Sequence, residues 1–90
     1  MRVTKVKIVN QLGLHARAAA QLVRLAATFR CKIVLKRMDR SVIADAKSIL
    51  SVLALAAPKG TEIDLEFDGE DENEALIAVE GLFLNGFGEI

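Results

Sequence analysis

Within residues 61–68, acidic and apolar side chains alternate strictly from Glu62 to Asp68, which predicts a β-strand with one buried face and one face in water. Its apolar side consists of Ile63, Leu65 and Phe67. Residues 2–9 and 32–37 alternate in the same way, but with lysines on the polar side. Strands with one polar face belong to a sheet that is covered on one side only, so we predict an α+β fold with helices on one face of an antiparallel sheet.

The charges on these strands also predict their neighbours. The outer face of 61–68 is acidic, whereas the outer faces of 2–9 and 32–37 are basic. Opposite charges on adjacent strands attract and like charges repel. We therefore expect the acidic strand to lie between the two basic strands.

Helical periodicity separates the strands. The predicted helices are residues 16–28, residues 48–56 and a last helix that begins near Asp71 and stops at Gly86. Asp71 and Glu74 have the spacing of a capping box at the start of the last helix. A turn near 38–40 leads into a short strand around 41–44, which makes the predicted order βαββαβα.

Charge is balanced overall but unevenly distributed. All but one of the 12 Lys and Arg residues lie in residues 1–47, and all but two of the 12 Asp and Glu residues lie in residues 48–90. Many of these charges occupy alternating positions of predicted strands, which is typical of a folded surface. The chain has neither net positive charge nor an aromatic platform for stacking bases. We expect no nucleic acid among its partners.

Cysteine content and hydropathy exclude several other classes of protein. The single cysteine, Cys31, cannot form an internal disulfide, and the sequence contains no cluster of metal ligands. No apolar run approaches the roughly 18 residues that a membrane-spanning helix needs. The N-terminus is polar and alternating, unlike a signal peptide. We expect a cytoplasmic monomer that does not insert into a membrane and that needs no metal or cofactor.

The only histidine, His15, lies where the first strand ends and the first helix begins. Gly13 allows a tight turn before the helix. With His15 at or next to the N-cap, the amides of Ala16 and Arg17 have no intrahelical acceptor, and the positive end of the helix dipole faces the imidazole. The Arg17 guanidinium can bind phosphate oxygens. The pattern indicates a nucleophilic histidine beside an anion site, although a lone histidine here can also be a simple surface cap.

Residues 13–17 (GLHAR), 46–53 (AKSILSVL), 59–61 (KGT) and 69–76 (GEDENEAL) together resemble the HPr family, the histidine-containing phosphocarriers of the bacterial phosphotransferase system. The resemblance implies one HPr-like open-faced sandwich over residues 1–90, with strand order 1-4-2-3 and three helices on one face. It also implies that His15 receives a phosphoryl group on Nδ1 from enzyme I and passes it to the A component of a sugar permease. Such a protein is a carrier and not an enzyme.

The resemblance assigns further roles around the helix at 48–56. Ser48 matches the serine that a dedicated kinase phosphorylates in the Gram-positive branch of the family. The apolar patch that meets partner proteins is matched by Ile49, Leu50 and Leu53. A basic rim around that patch is matched by Arg24 and Lys47. The alternative for each of these residues alone is a cap, a core position or an ordinary surface charge.

Three departures from the family pattern leave other functions open. Ala18 replaces the usual proline in the first helical turn, Ser51 replaces a glycine or small residue, and the loop between the second and third strands is about two residues longer. These differences are compatible with a regulatory, nitrogen-related paralogue. A third possibility, from a different class, is a non-phosphorylated α+β module that binds a partner through its apolar helix.

Overall fold

The computed structural model describes residues 1–89 and has the predicted βαββαβα order. The elements are β1 (Arg2–Lys7), α1 (Ala16–Ala26), β2 (Lys32–Arg37), β3 (Val42–Asp45), α2 (Ile49–Leu53), β4 (Glu62–Asp68) and α3 (Glu72–Leu84). Short 3-10 turns cover Met38–Arg40 and Gly86–Gly88. The predicted range 1–90 also includes Ile90, which lies outside the described residues. No helix among residues 1–89 is long and apolar enough to cross a membrane.

Two helices are shorter than predicted. Helix α1 ends at Ala26, and the Thr28 hydroxyl donates to the Leu25 carbonyl at 2.7 Å, which closes the last turn. Helix α2 ends at Leu53 because the chain then turns into a positive φ of 48° at Ala56. Apolar residues continue past both ends, so hydrophobic pattern alone overestimates the lengths of these helices.

The four strands form an antiparallel sheet in the order β1-β4-β2-β3, which confirms the predicted position of the acidic strand. Asp64 of β4 lies opposite Lys5 of β1 and Lys36 of β2. The Lys5 Nζ lies 3.7 Å from the Asp64 carboxylate, and the Lys36 Nζ lies 2.7 Å from that of Glu66. Partly exposed pairs like these contribute little energy each, but opposite charges across neighbouring strands favour this strand order.

The opposite face of the sheet carries the core. Ile63, Leu65 and Phe67 are fully buried there, as the alternation predicts. Helices α1 and α3 pack beside each other, and α3 also lies against β1 and β4. The helix residues with full burial are Ala18, Ala19, Leu22, Ala26, Val52, Ala75, Val79 and Phe83.

The predicted capping box at the start of α3 is wrong. The Asp71 carboxylate makes no capping bond and instead accepts the amide N–H groups of Arg30 at 2.8 Å and Cys31 at 2.9 Å. The carboxylate of Glu72, not that of Glu74, accepts an amide, that of Gly69 at 3.0 Å. Asp71 therefore ties the loop before β2 to the start of α3, a long-range contact that local spacing does not reveal.

Candidate functional site

His15 is the N-cap of α1, as predicted. Its backbone is extended, with φ −74° and ψ 178°, and its carbonyl accepts the Ala19 N–H at 2.8 Å. The ring itself caps the helix, because Nδ1 accepts the Arg17 N–H at 3.3 Å. The side chain is 27% exposed. The imidazole is therefore held at the positive end of α1 with one edge accessible to solvent.

The turn before His15 is held by two backbone hydrogen bonds, one within the turn and one to the segment after α2. Gly13 has φ +65°, a left-handed conformation that favours glycine, and its N–H donates to the Asn10 carbonyl at 3.2 Å. The next amide, that of Leu14, donates to the Ala57 carbonyl at 2.9 Å, and the Leu14 side chain is buried. The position of His15 thus depends on the segment that follows α2.

The structure adds Glu89 to the site, a residue that the sequence analysis missed. One carboxylate oxygen of Glu89 contacts Nε2 of His15, and the other accepts the Asn10 side-chain amide at 2.9 Å. The Asn10 amide also donates to the Gly13 carbonyl at 2.8 Å. Hydrogen bonds from Asn10 first, and then from His15, hold the pKa of Glu89 below its usual value.

The C-terminal segment (residues 85–89) is shaped to bring Glu89 to the ring. Gly86, Phe87 and Gly88 all have positive φ, at 59°, 57° and 76°. The Phe87 ring is buried and packs edge-on against Phe83, with 5.0 Å between ring centroids. Gln21 of α1 donates to the Phe87 carbonyl at 3.3 Å. The glycines on either side of Phe87 were the available sequence signal for this turn.

An open concave surface of about 570 Å³ lies over the imidazole. It is lined by Gln11, Leu12, His15, Arg17 and Glu89. The Arg17 side chain is exposed beside the ring, and no other cation lines this surface among the described residues. No group of three or more His, Cys, Asp or Glu within residues 1–89 is placed to hold a metal ion. The arrangement suits a nucleophilic imidazole next to a small anion.

The residues predicted around α2 lie on the surface, with one exception. Ile49 is 38% exposed and Leu50 is 78% exposed, so the helix does present apolar side chains to solvent. Leu53 is only partly exposed and packs against the core. Ser48 is the N-cap of α2, and its hydroxyl accepts the Ser51 N–H at 3.3 Å.

The predicted basic rim is also exposed. Arg24 lies in the last turn of α1, which packs against α2. The Lys47 ammonium donates to the Phe29 carbonyl at 2.8 Å, so it is held at the junction of these helices. The departure at Ser51 has a local reason, since its hydroxyl accepts the Asp45 N–H at 2.9 Å where β3 ends.

Comparison with known proteins gives the family. Residues 3–85 match the family model described as PTS HPr component phosphorylation site. The chain is 50% identical over 82 residues to Phosphocarrier protein HPr of Cupriavidus necator, covering 91% of this chain and 90% of that protein. It is 45% identical over 89 residues to Phosphocarrier protein HPr of Pseudomonas aeruginosa, covering 99% of this chain and 98% of that protein.

Solved structures agree with the sequence relatives. The crystal structure of HPr-C-His from Thermoanaerobacter tengcongensis superposes with a TM-score of 0.93 at 34% identity, covering 100% of this chain and 99% of that one. The histidine-containing phosphocarrier protein of a Mycoplasma gives a TM-score of 0.86 at 30% identity, covering 99% and 98%. With sequence, fold and strand order in agreement, the chain belongs to the HPr family of phosphocarrier proteins of the phosphotransferase system.

Proposed function

We propose that Nδ1 of His15 accepts a phosphoryl group from enzyme I and passes it to the A component of a phosphotransferase-system permease. The observation that carries this proposal is the placement of Nδ1 at the N-terminus of α1, 3.3 Å from the Arg17 amide. The relatives of this chain named Phosphocarrier protein HPr support the same role. The protein acts as a substrate and product of its partners and not as an enzyme.

The helix N-terminus suits both states of the histidine. In the free protein Nδ1 accepts the Arg17 N–H. Once Nδ1 carries the phosphoryl group, the phosphoryl oxygens replace Nδ1 as acceptors for the Ala16 and Arg17 amides. The positive end of the helix dipole favours the negative charge on these oxygens. The exposed Arg17 guanidinium adds a charge-assisted contact. One guanidinium and one helix end stabilise the phosphohistidine modestly, which leaves onward transfer possible.

We further propose that partners dock on the exposed apolar side chains of α2. Ile49 and Leu50 are accessible, and Leu53 contributes its outer edge. Arg24 and Lys47 supply positive charge at the border, which steers acidic partners towards this face. Phosphorylation of Ser48 by a serine kinase would place about −2 charge beside this patch and weaken docking.

The proposal is tested by phosphoryl transfer in a purified system. The chain is incubated with enzyme I and phosphoenolpyruvate, and a permease A component is then added while acid-labile phosphate is followed on each protein. We expect loading of this chain and then transfer. Loading without transfer to any permease component would favour the regulatory paralogue, and absence of loading would favour a binding module and contradict the proposal.

Arg17 and Arg40 provide a matched pair of variants for this assay. Arg17→Ala should slow loading roughly 10- to 100-fold, because a hydrogen bond to a charged group contributes about 1.5–3 kcal/mol. Arg40→Ala removes an exposed guanidinium from the turn between β2 and β3, and its loading rate should equal that of the unmodified chain. Equal loading rates for the two variants would show that the Arg17 side chain does not contribute to phosphoryl transfer.

A further inference from the structure

We propose that Glu89, supported by Asn10, is a positioning residue that keeps the proton of the imidazole on Nε2 and so directs phosphorylation to Nδ1. This inference rests on the proposed phosphocarrier function and deepens it. It gives a role to a residue 74 positions away from the histidine in the sequence. It also explains why the C-terminal segment turns back over the site.

The hydrogen-bonding partners of the two ring nitrogens define one tautomer. A neutral imidazole has one N–H donor and one acceptor nitrogen. The Arg17 amide can only donate, so Nδ1 must accept. The ionised Glu89 carboxylate can only accept, so Nε2 must donate. Nδ1 is therefore the nitrogen with a lone pair, and the hydrogen bonds of the folded chain select it.

Glu89 is held in place by buried groups and not by a flexible surface contact. Asn10 is 1% exposed, and its side-chain amide bridges the Glu89 carboxylate and the Gly13 carbonyl. The Glu89 side chain itself is only 17% exposed. Burial of Phe87 anchors the segment that carries it. A carboxylate fixed in this way restricts the orientation of the ring as well as its protonation.

The same carboxylate also shields Nε2 from phosphorylation. Its oxygen occupies the space in front of Nε2, where an attacking phosphorus atom would have to approach. Its negative charge repels an anionic phosphoryl group from that edge of the ring. The opposite edge, at Nδ1, faces the backbone amide of Arg17 and the positive end of the α1 dipole. The two edges of the imidazole therefore differ in the charges around them as well as in which nitrogen carries the proton.

The transfer step balances without movement of a proton. The Nδ1 lone pair attacks phosphorus of the phosphorylated donor protein, and the bond from phosphorus to the donor breaks with its electron pair on the donor. The ring keeps its Nε2 proton and carries a positive charge, which the Glu89 carboxylate stabilises. In onward transfer the N–P bond breaks, the pair returns to Nδ1, and a neutral imidazole leaves.

Phosphoramidate, a small donor that needs no partner protein, tests this assignment. The intact chain, Glu89→Ala and the control Glu70→Ala are treated with it, and the phosphohistidine isomers are resolved by 31P and 15N NMR. Glu70 is exposed in the loop before α3, so the control removes the same charge away from the ring. We expect the Nδ1 isomer in the unmodified chain and the control, and a rise of about tenfold or more in the Nε2 share for Glu89→Ala.

Glu89→Gln should restore the Nδ1 preference in part, because its amide oxygen accepts the Nε2 proton while its amide hydrogens oppose those of Asn10. An unchanged isomer ratio in folded Glu89→Ala would overturn the inference. If no variant takes up phosphate from phosphoramidate or enzyme I, the proposed function fails instead. The 15N shifts of His15 then test the inference separately, and the same tautomer population in the unmodified chain and Glu89→Ala would contradict it.

Discussion

The carbonyl oxygen of Ala57 lies 2.5 Å from the position that a Cβ on Gly13 would occupy. The same oxygen accepts the Leu14 N–H at 2.9 Å, so the chain after α2 touches the loop that precedes His15. Gly13 is required here for two reasons, since its φ of +65° is unfavourable for other residues and its space is filled by backbone. The geometry of the histidine therefore depends on a contact between two distant loops.

Gly13→Ala should lower the free energy of unfolding by at least about 2 kcal/mol, because left-handed strain adds to a backbone clash. Gly60→Ala is the matched control, since its φ is +92° but nothing lies within 4 Å of the added Cβ. Denaturant titration of both variants checks this. Equal losses would show that the contact with Ala57 relaxes without cost.

Arg37 is a buried cation on the inner face of β2. It is 4% exposed, and its Nη1 donates to the carbonyls of Leu55 and Ala56, both at 2.8 Å, while Nε donates to Asp39 at 2.9 Å. Arg37→Met should destabilise the fold by about 2–4 kcal/mol, because it leaves carbonyls without a donor. The exposed Arg40→Met should stay within about 0.5 kcal/mol in the same thermal unfolding experiment. A small loss for Arg37→Met would mean that water replaces the guanidinium.

Arg37 also shows what strand periodicity leaves out. The alternation of residues 32–37 predicts which positions face inward, and the structure confirms the inward direction of Ile33 and Leu35. It gives no reason to expect an arginine at the next inward position. The Nη1 hydrogen bonds of the Arg37 guanidinium are made with the carbonyls of Leu55 and Ala56, which follow α2. Contacts between segments this far apart in the chain leave no pattern in the local sequence.

Asp71 should stabilise the fold at neutral pH and make its stability fall in acid. Amide hydrogen bonds, that of Arg30 first, hold the pKa of Asp71 below its usual value. A lowered folded-state pKa stabilises the protein above the unfolded pKa of about 3.9, and this stabilisation is lost as pH falls through the folded value. Asp71→Asn should therefore reduce stability at neutral pH and flatten its decline below about pH 4, relative to an exposed control, Asp68→Asn. Parallel acid unfolding curves for the two variants would contradict this.

Ser48→Asp should separate docking from folding. Aspartate caps a helix as well as serine does, so stability should change by no more than about 0.5 kcal/mol. Loading by enzyme I should slow about tenfold, because a charge beside Leu50 must be desolvated when the partner docks. Ser41→Asp places the same charge on the exposed turn after Arg40 and should load normally. Normal loading of Ser48→Asp would show that enzyme I does not dock on the apolar side chains of α2.

Only the part of the site at the start of α1 could be predicted from the sequence. His15, Gly13 and Arg17 lie within one turn, so their arrangement follows from the helix start itself. Glu89 reaches the ring only because the chain after α3 folds back over α1, and that path depends on packing of Phe87 against Phe83. Local spacing therefore predicts the nucleophile, and tertiary packing supplies the carboxylate beside it.

The most direct test of the phosphocarrier assignment is the intact mass of this chain and of His15→Ala after incubation with enzyme I and phosphoenolpyruvate. The unmodified chain should gain one phosphoryl group that acid removes. His15→Ala should gain none while keeping its cooperative unfolding transition, since loss of a surface cap costs about 1 kcal/mol. Acid-labile phosphate on folded His15→Ala, or none on the unmodified chain, would contradict the account.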